Sequence, residues 1–133
     1  MSTRAQVRFA TREEGVSFNE HPDKIHAQFY VHSDGYPEGL GLDIATSYAD
    51  KVSVSRGWEI EHIQTLHGDL DYIYYIWSDY DKSTWISIFE LIPFEDKVGE
   101  CIFVGKPNKL IAKYGSQLKE SYYKLNTNDE ERD

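Results

Sequence analysis

The run His32-Ser33-Asp34-Gly35-Tyr36-Pro37-Glu38-Gly39-Leu40-Gly41 constrains the fold of this chain more than any other stretch. It joins a segment of alternating polarity to one with helical spacing, so it must turn a strand into a helix. Asp34-Gly35 is a turn dipeptide: Gly accepts positive φ, and Asp hydrogen-bonds nearby amides. Pro37 pushes Tyr36 into extended geometry and is pre-shaped for the first position of a helix. Glu38 then falls in the first turn, where unpaired amides and the macrodipole favour a carboxylate. Gly39 and Gly41 each cost about 1 kcal/mol relative to Ala within a helix. Their presence points to close backbone packing, with a close-approaching ligand as the alternative. A phosphate cradle fits poorly. The glycine spacing matches no nucleotide fingerprint, no Lys or Arg lies between His32 and Asp50, and Glu38 and Asp43 repel anions.

The rest of the pattern supplies strands around this junction. Residues 6–10 alternate, with Val7 and Phe9 on one side; residues 11–15 turn, and 16–18 return as a partner. Residues 25–32 are the clearest strand, with Ile25, Ala27, Phe29 and Val31 opposite His26, Gln28, Tyr30 and His32. The spacing predicts a helix over 37–52, with Leu40, Ile44 and Tyr48 on one stripe. Residues 58–66 suit a strand or a short helix and are read as a strand, followed by a tight turn at His67-Gly68-Asp69. Residues 70–77 carry large side chains on both faces: Leu70, Tyr72, Tyr74 and Ile76 against Ile73, Tyr75 and Trp77. Both faces must therefore be covered, by helices or by a partner. Residues 78–82 close a hairpin onto a return strand over 84–92, and 101–104 form a further short strand. Residues 106–125 read as mostly helical through Leu110, Ile111, Tyr114 and Leu118. The expected architecture is α+β: an antiparallel sheet of five or six strands with two helices packed on one face. A single domain over 1–125 is expected, with 126–133 as a polar, flexible tail.

Composition bounds the chemistry. A chain of 133 residues at 40% hydrophobic is long and apolar enough to build a core. No apolar stretch reaches the ~20 residues that span a bilayer, and residues 1–10 lack a signal-peptide core. With one cysteine, Cys101, no intramolecular disulfide forms, and a cytoplasmic location is expected. Cys101 sits in an apolar run and reads as a small buried side chain rather than a nucleophile. The net charge of −9 opposes direct binding to nucleic acid or an anionic membrane. It serves solubility, and it also suits docking on a basic patch of another protein.

Three constellations are candidate sites. Tyr72, Tyr74, Tyr75, Trp77, Tyr80 and Trp85 crowd one hairpin together with Asp79 and Asp81. Rings bury large area at little entropic cost, so this set is the expected partner surface, with core filling as its competing role. His32, Asp34, His67 and Asp69 form two His-x-Asp pairs at turns and are the candidate metal ligands. Ordinary turn chemistry explains them as well, and no motif calls for a cofactor. His62, His67, Asp69 and Asp71 are the candidates for a histidine held by a carboxylate. No nucleophile-elbow motif accompanies them.

The segment YVHSDGYPEGLG, residues 30–41, resembles the Y-R-H-x-D-G-Y-P-x-G-L-G signature of small bacteriophage and prophage proteins with no assigned activity. His32, Asp34, Gly35, Tyr36, Pro37, Gly39, Leu40 and Gly41 match; Val31 stands where the signature has Arg. The resemblance implies a phage-like origin and an α+β fold, and carries over no catalytic residue. With charge and rings added, the expected function is a small acidic accessory protein that binds and modulates a host or phage protein. It would occlude a basic surface, as an inhibitor of a defence enzyme does, with aromatic anchors and acidic residues such as Glu95, Asp96 and Glu100 steering association. The alternatives are a small metal-assisted hydrolase, a virion or assembly component that self-associates as a homo-oligomer, and a small-ligand-binding protein.

Overall fold

The computed structural model describes residues 3–12, 20–22, 24–50, 57–78, 82–92 and 99–115. The strands are β1 (Ala5–Thr11), β2 (Lys24–Val31), β3 (Trp58–Glu61), β4 (Tyr72–Ser78), β5 (Thr84–Glu90) and β6 (Glu100–Gly105). A π-helical turn, Pro37–Gly41, leads into α1 (Leu42–Asp50), and α2 (Pro107–Leu110) runs on into a second such turn, Ile111–Gly115. The fold is α+β, with one six-stranded sheet ordered β3-β2-β1-β4-β5-β6. The expected return of residues 16–18, the helix beyond residue 115 and the tail lie outside the described residues.

The sheet is mixed rather than wholly antiparallel, because β1 and β4 pair in parallel at its centre. The other four pairings are antiparallel. A parallel pair cannot be joined by a tight turn and needs a crossover. Here β3 runs antiparallel to β2, and residues 62–71 carry the chain back to the start of β4. The expected strand over 58–66 is therefore strand only to Glu61 and crossover loop thereafter.

Period-two alternation divides the apolar side chains between two clusters. On one face Val7, Tyr74, Ile76, Ile86 and Ile88 pack with Leu40, Ile44, Ala45, Leu110 and Tyr114, so both helices lie on this side. On the other, Ala10, Tyr30, Ile73, Tyr75, Trp77 and Phe89 form a second cluster with no helix among its members. Two residues stand on the side opposite to that expected. Leu70 precedes β4 and tucks under the second face; Ile25 reaches it too, because a bulge beside His26 breaks the β1–β2 register. Tyr48 is exposed, so the apolar stripe of α1 ends at Ile44 and Ala45.

The junction run is a packing device. A Cβ on Gly35 would stand 2.8 Å from Ala5 Cβ, and one on Gly39 would stand 2.8 Å from Asp34 O. Asp34 takes a left-handed backbone (φ 59°), Leu40 N donates to Asp34 O at 3.0 Å, and buried Tyr74 donates its hydroxyl to Gly35 O at 2.6 Å. The glycines admit backbone and the start of β1, not a ligand.

Candidate functional site

The crossover loop explains an otherwise costly feature of the second face. Its backbone crosses the sheet, and carbonyls buried there need donors. Gln6 on β1 and Gln28 on β2, both with no exposed surface, supply them. Their Nε2 atoms donate to Thr65 O at 3.1 and 3.0 Å, and Gln28 Nε2 also reaches His62 O at 3.2 Å. Both also donate to Glu61 Oε2 at 2.8 Å, while the other oxygen, Oε1, accepts from His67 Nε2 at 2.8 Å. His67 lies flat against Tyr30, with ring centroids 4.0 Å apart. The histidine is thus fixed by a carboxylate on one edge and a ring on one face.

A second chain of contacts runs beside it. Arg8 Nη2 donates to Gln6 Oε1 at 2.8 Å, and Nη1 donates to Tyr75 Oη at 2.6 Å. The Tyr75 hydroxyl also shares a hydrogen bond with His21 Nδ1, 2.7 Å away. Phe89 stacks on His21 at 3.8 Å and holds the imidazole in place. Burial pushes the Tyr75 phenol up from its ordinary value, and the neighbouring guanidinium opposes that shift. The phenol therefore remains a hydrogen-bond donor at neutral pH.

These groups border a cavity of about 570 Å³ between the sheet, the His21–Pro22 loop and the crossover. Gln6, Arg8, His21, His67 and Tyr75 make its polar part; Leu66, Leu70 and Ile92 are among its aliphatic lining. No carboxylate lines it among the described residues, although the chain carries 23. Arg8 makes no ion pair among the described residues, and two neutral side chains take only two of its five N–H donors. Its Nε is buried without a partner.

Comparison with family models, curated proteins and solved structures finds no match to this chain. Function must be argued from the side chains themselves.

The expected sites fare unevenly. Tyr74, Tyr75 and Trp77 are interior, at 0%, 1% and 2% exposure, so they form no partner surface. They face the helices or the second cluster because β4 is central in the sheet and covered on both sides. Trp77 donates Nε1–H to buried Ser87 at 2.8 Å. Tyr72 is half-buried against the helix-side cluster, and Trp85 is half-buried, stacked on Trp77 at 5.3 Å. Asp79, Tyr80 and Asp81, like Glu95 and Asp96, lie outside the described residues.

His32, Asp34, His67 and Asp69 do not assemble into a metal site, and no group of three such ligands occurs among the described residues. Each is engaged elsewhere: His32 with Glu59 at 2.9 Å, His67 with Glu61, Asp69 with Arg4 at 3.3 Å, and Asp34 near the Tyr36 hydroxyl at 3.5 Å. The carboxylate that holds His67 is thus Glu61, not Asp69 or Asp71. Asp71 accepts from the Arg4 amide at 3.1 Å, and His62 Nδ1 accepts from the Gln64 amide at 3.0 Å. Cys101 is partly buried, and burial pushes its thiol up, away from thiolate chemistry. Among the described residues no helix is long and apolar enough to cross a membrane.

Sequence reasoning passed over Gln6, Arg8, His21, Gln28 and Glu61. A signal existed for three of them. Gln6, Arg8 and Gln28 put polar groups at the repeating positions of one face of strands whose other face is apolar.

Proposed function

We propose that this protein is a binding module that takes a small organic anion into the cavity on the helix-free face of its sheet. The observation that carries the reading is Arg8: a cation that pairs with no carboxylate among the described residues, in a cavity that no described carboxylate lines, on a chain of net charge −9. Arg8 is partly buried, with its Nε unpartnered, and a ligand oxyanion offsets the cost of partly desolvating a cation. Arg8 offers N–H donors in a planar fork that suits a carboxylate, and His21 and Tyr75 hold its surroundings in register. The cavity's size is in the range used for small molecules. Binding is favoured over catalysis because the described lining of the cavity holds no serine, threonine, cysteine or lysine. Protein docking through exposed rings lacks its three central anchors, Tyr74, Tyr75 and Trp77, which are interior.

The test is a titration of isotope-labelled protein with acetate at millimolar concentration, followed by two-dimensional NMR. Resonances of Arg8, His21, Tyr75 and His67 should shift together and saturably, while those of α1 stay still. In Arg8→Gln the response should fall at least tenfold in affinity. Shifts scattered over the surface, or a response unchanged in Arg8→Gln, would refute the reading.

A further inference from the structure

The anion site continues into two aliphatic side chains that water should not be left to cover. Leu66 is 84% exposed and Ile92 57% exposed, and both line the same cavity as Arg8. Leu66 sits on the crossover loop, whose carbonyls at residues 62 and 65 are pinned by Gln28 and Gln6. Ile92 follows Leu91, whose amide donates to Asp71 O at 2.8 Å, so the opposite side is pinned as well. The two residues are thus presented by anchored backbone. Leu70, Ile73, Ile25 and Leu91 continue the aliphatic lining inward.

Resting on the anion-binding reading, we infer that the ligand is amphiphilic: a monocarboxylate whose head meets Arg8 and whose alkyl or aryl tail lies against Leu66 and Ile92. One cation with two neutral hydrogen-bonding partners matches one carboxylate head, not a polyanion. The aliphatic lining offers a sugar or a phosphate ester few hydrogen bonds, whereas it removes a hydrocarbon tail from water. A concave site with a few convergent polar groups and apolar walls is the usual form of such recognition.

The experiment compares acetate, butanoate, hexanoate and octanoate on the full chain by calorimetry and NMR. Affinity should rise by roughly fourfold for each methylene until the tail leaves the cavity. Leu66→Ser, at a position already in solvent, should weaken octanoate at least fivefold and leave acetate unchanged. Arg8→Gln should weaken both. Equal affinity for acetate and octanoate would overturn the amphiphile and leave the anion site standing. Octanol binding as tightly as octanoate, with no effect of Arg8→Gln, would overturn the anion site itself. Sedimentation is run in parallel. A dimer that Leu66→Ser dissolves, with octanoate binding unaffected, would make this mouth a contact between copies and overturn the inference.

Discussion

On the helix-covered face of the sheet, Val7, Tyr74, Ile76, Ile86 and Ile88 meet Leu40, Ile44 and Leu110 in one apolar cluster, with the Tyr74 hydroxyl bonded to Gly35 O. On the opposite face the same strands present Gln6, Arg8, Gln28 and Tyr75 to a loop, a histidine and a cavity. The difference follows from what covers each face. A helix satisfies its own backbone and asks the sheet only for shape, so the first face is packed for stability. A crossover loop brings carbonyls that must be paired, so the second face carries amide side chains and, with them, room for a charge.

The contrast predicts different costs for truncation on the two sides. Tyr74→Ala removes a wholly buried ring and the donor to Gly35 O, and should cost about 3–5 kcal/mol in urea unfolding. Gly35→Ala drives a methyl into Ala5 and the Thr3 carbonyl and should cost about 1–3 kcal/mol. On the other face Gln28→Leu takes one of two donors from each of Thr65 O, His62 O and Glu61 Oε2 and should cost about 0.5–1.5 kcal/mol. It should, in addition, speed amide exchange in the crossover loop selectively. Uniform acceleration across the chain would show that the two faces do not differ in this way.

Alkaline pH probes both faces together. Burial, with nearby carboxylates, pushes the Tyr72 phenol up to about 12, and burial raises Tyr30, Tyr74, Tyr75 and Tyr114 as well. These groups keep protons in the folded state that the unfolded chain releases near its ordinary value of 10.0. Unfolding then releases protons, so stability is whole below pH 10 and declines as pH rises towards about 12. The urea midpoint should fall across that window; a flat midpoint would refute the burial of these phenols.

Local order was legible from the chain because it is written locally. Alternation places Val7 and Phe9, or Tyr74 and Ile76, on one side of a strand, and Asp34-Gly35 with Pro37 marks the strand-to-helix junction. The need to cover both faces of residues 70–77 was legible too. What covers the second face was not. A buried ring and an exposed ring have the same sequence signature, so Tyr75 and Trp77 suggested a partner where the chain itself supplies cover, His21 at Tyr75 and Trp85 with Arg12 at Trp77. The cavity draws Arg8, His21, His67 and Tyr75 from four separate segments. The parallel β1–β4 pairing sets Arg8 beside Tyr75, and no short-range pattern announces it.

The smallest predicted effect separates burial from bonding. Glu59 and Glu61 stand two apart on β3, and each accepts a hydrogen bond from a histidine, at 2.9 and 2.8 Å. Both histidines flank Tyr30, edge-on for His32 and stacked for His67. The bonds are alike, but the surroundings differ. The His32–Glu59 side chains are 57% and 63% exposed, the His67–Glu61 side chains 25% and 13%. Water replaces what Glu59→Gln removes, so that change should cost at most about 0.5 kcal/mol. Glu61→Gln leaves one oxygen for the Gln6 and Gln28 amides and turns an NH2 group towards His67 Nε2. Either that histidine changes tautomer or two donors face each other, a cost of about 1–3 kcal/mol. Equal costs for the two substitutions in urea unfolding would mean that Glu61 is as well solvated as Glu59, and Gln6 would lose the fixed bond that holds it beside Arg8.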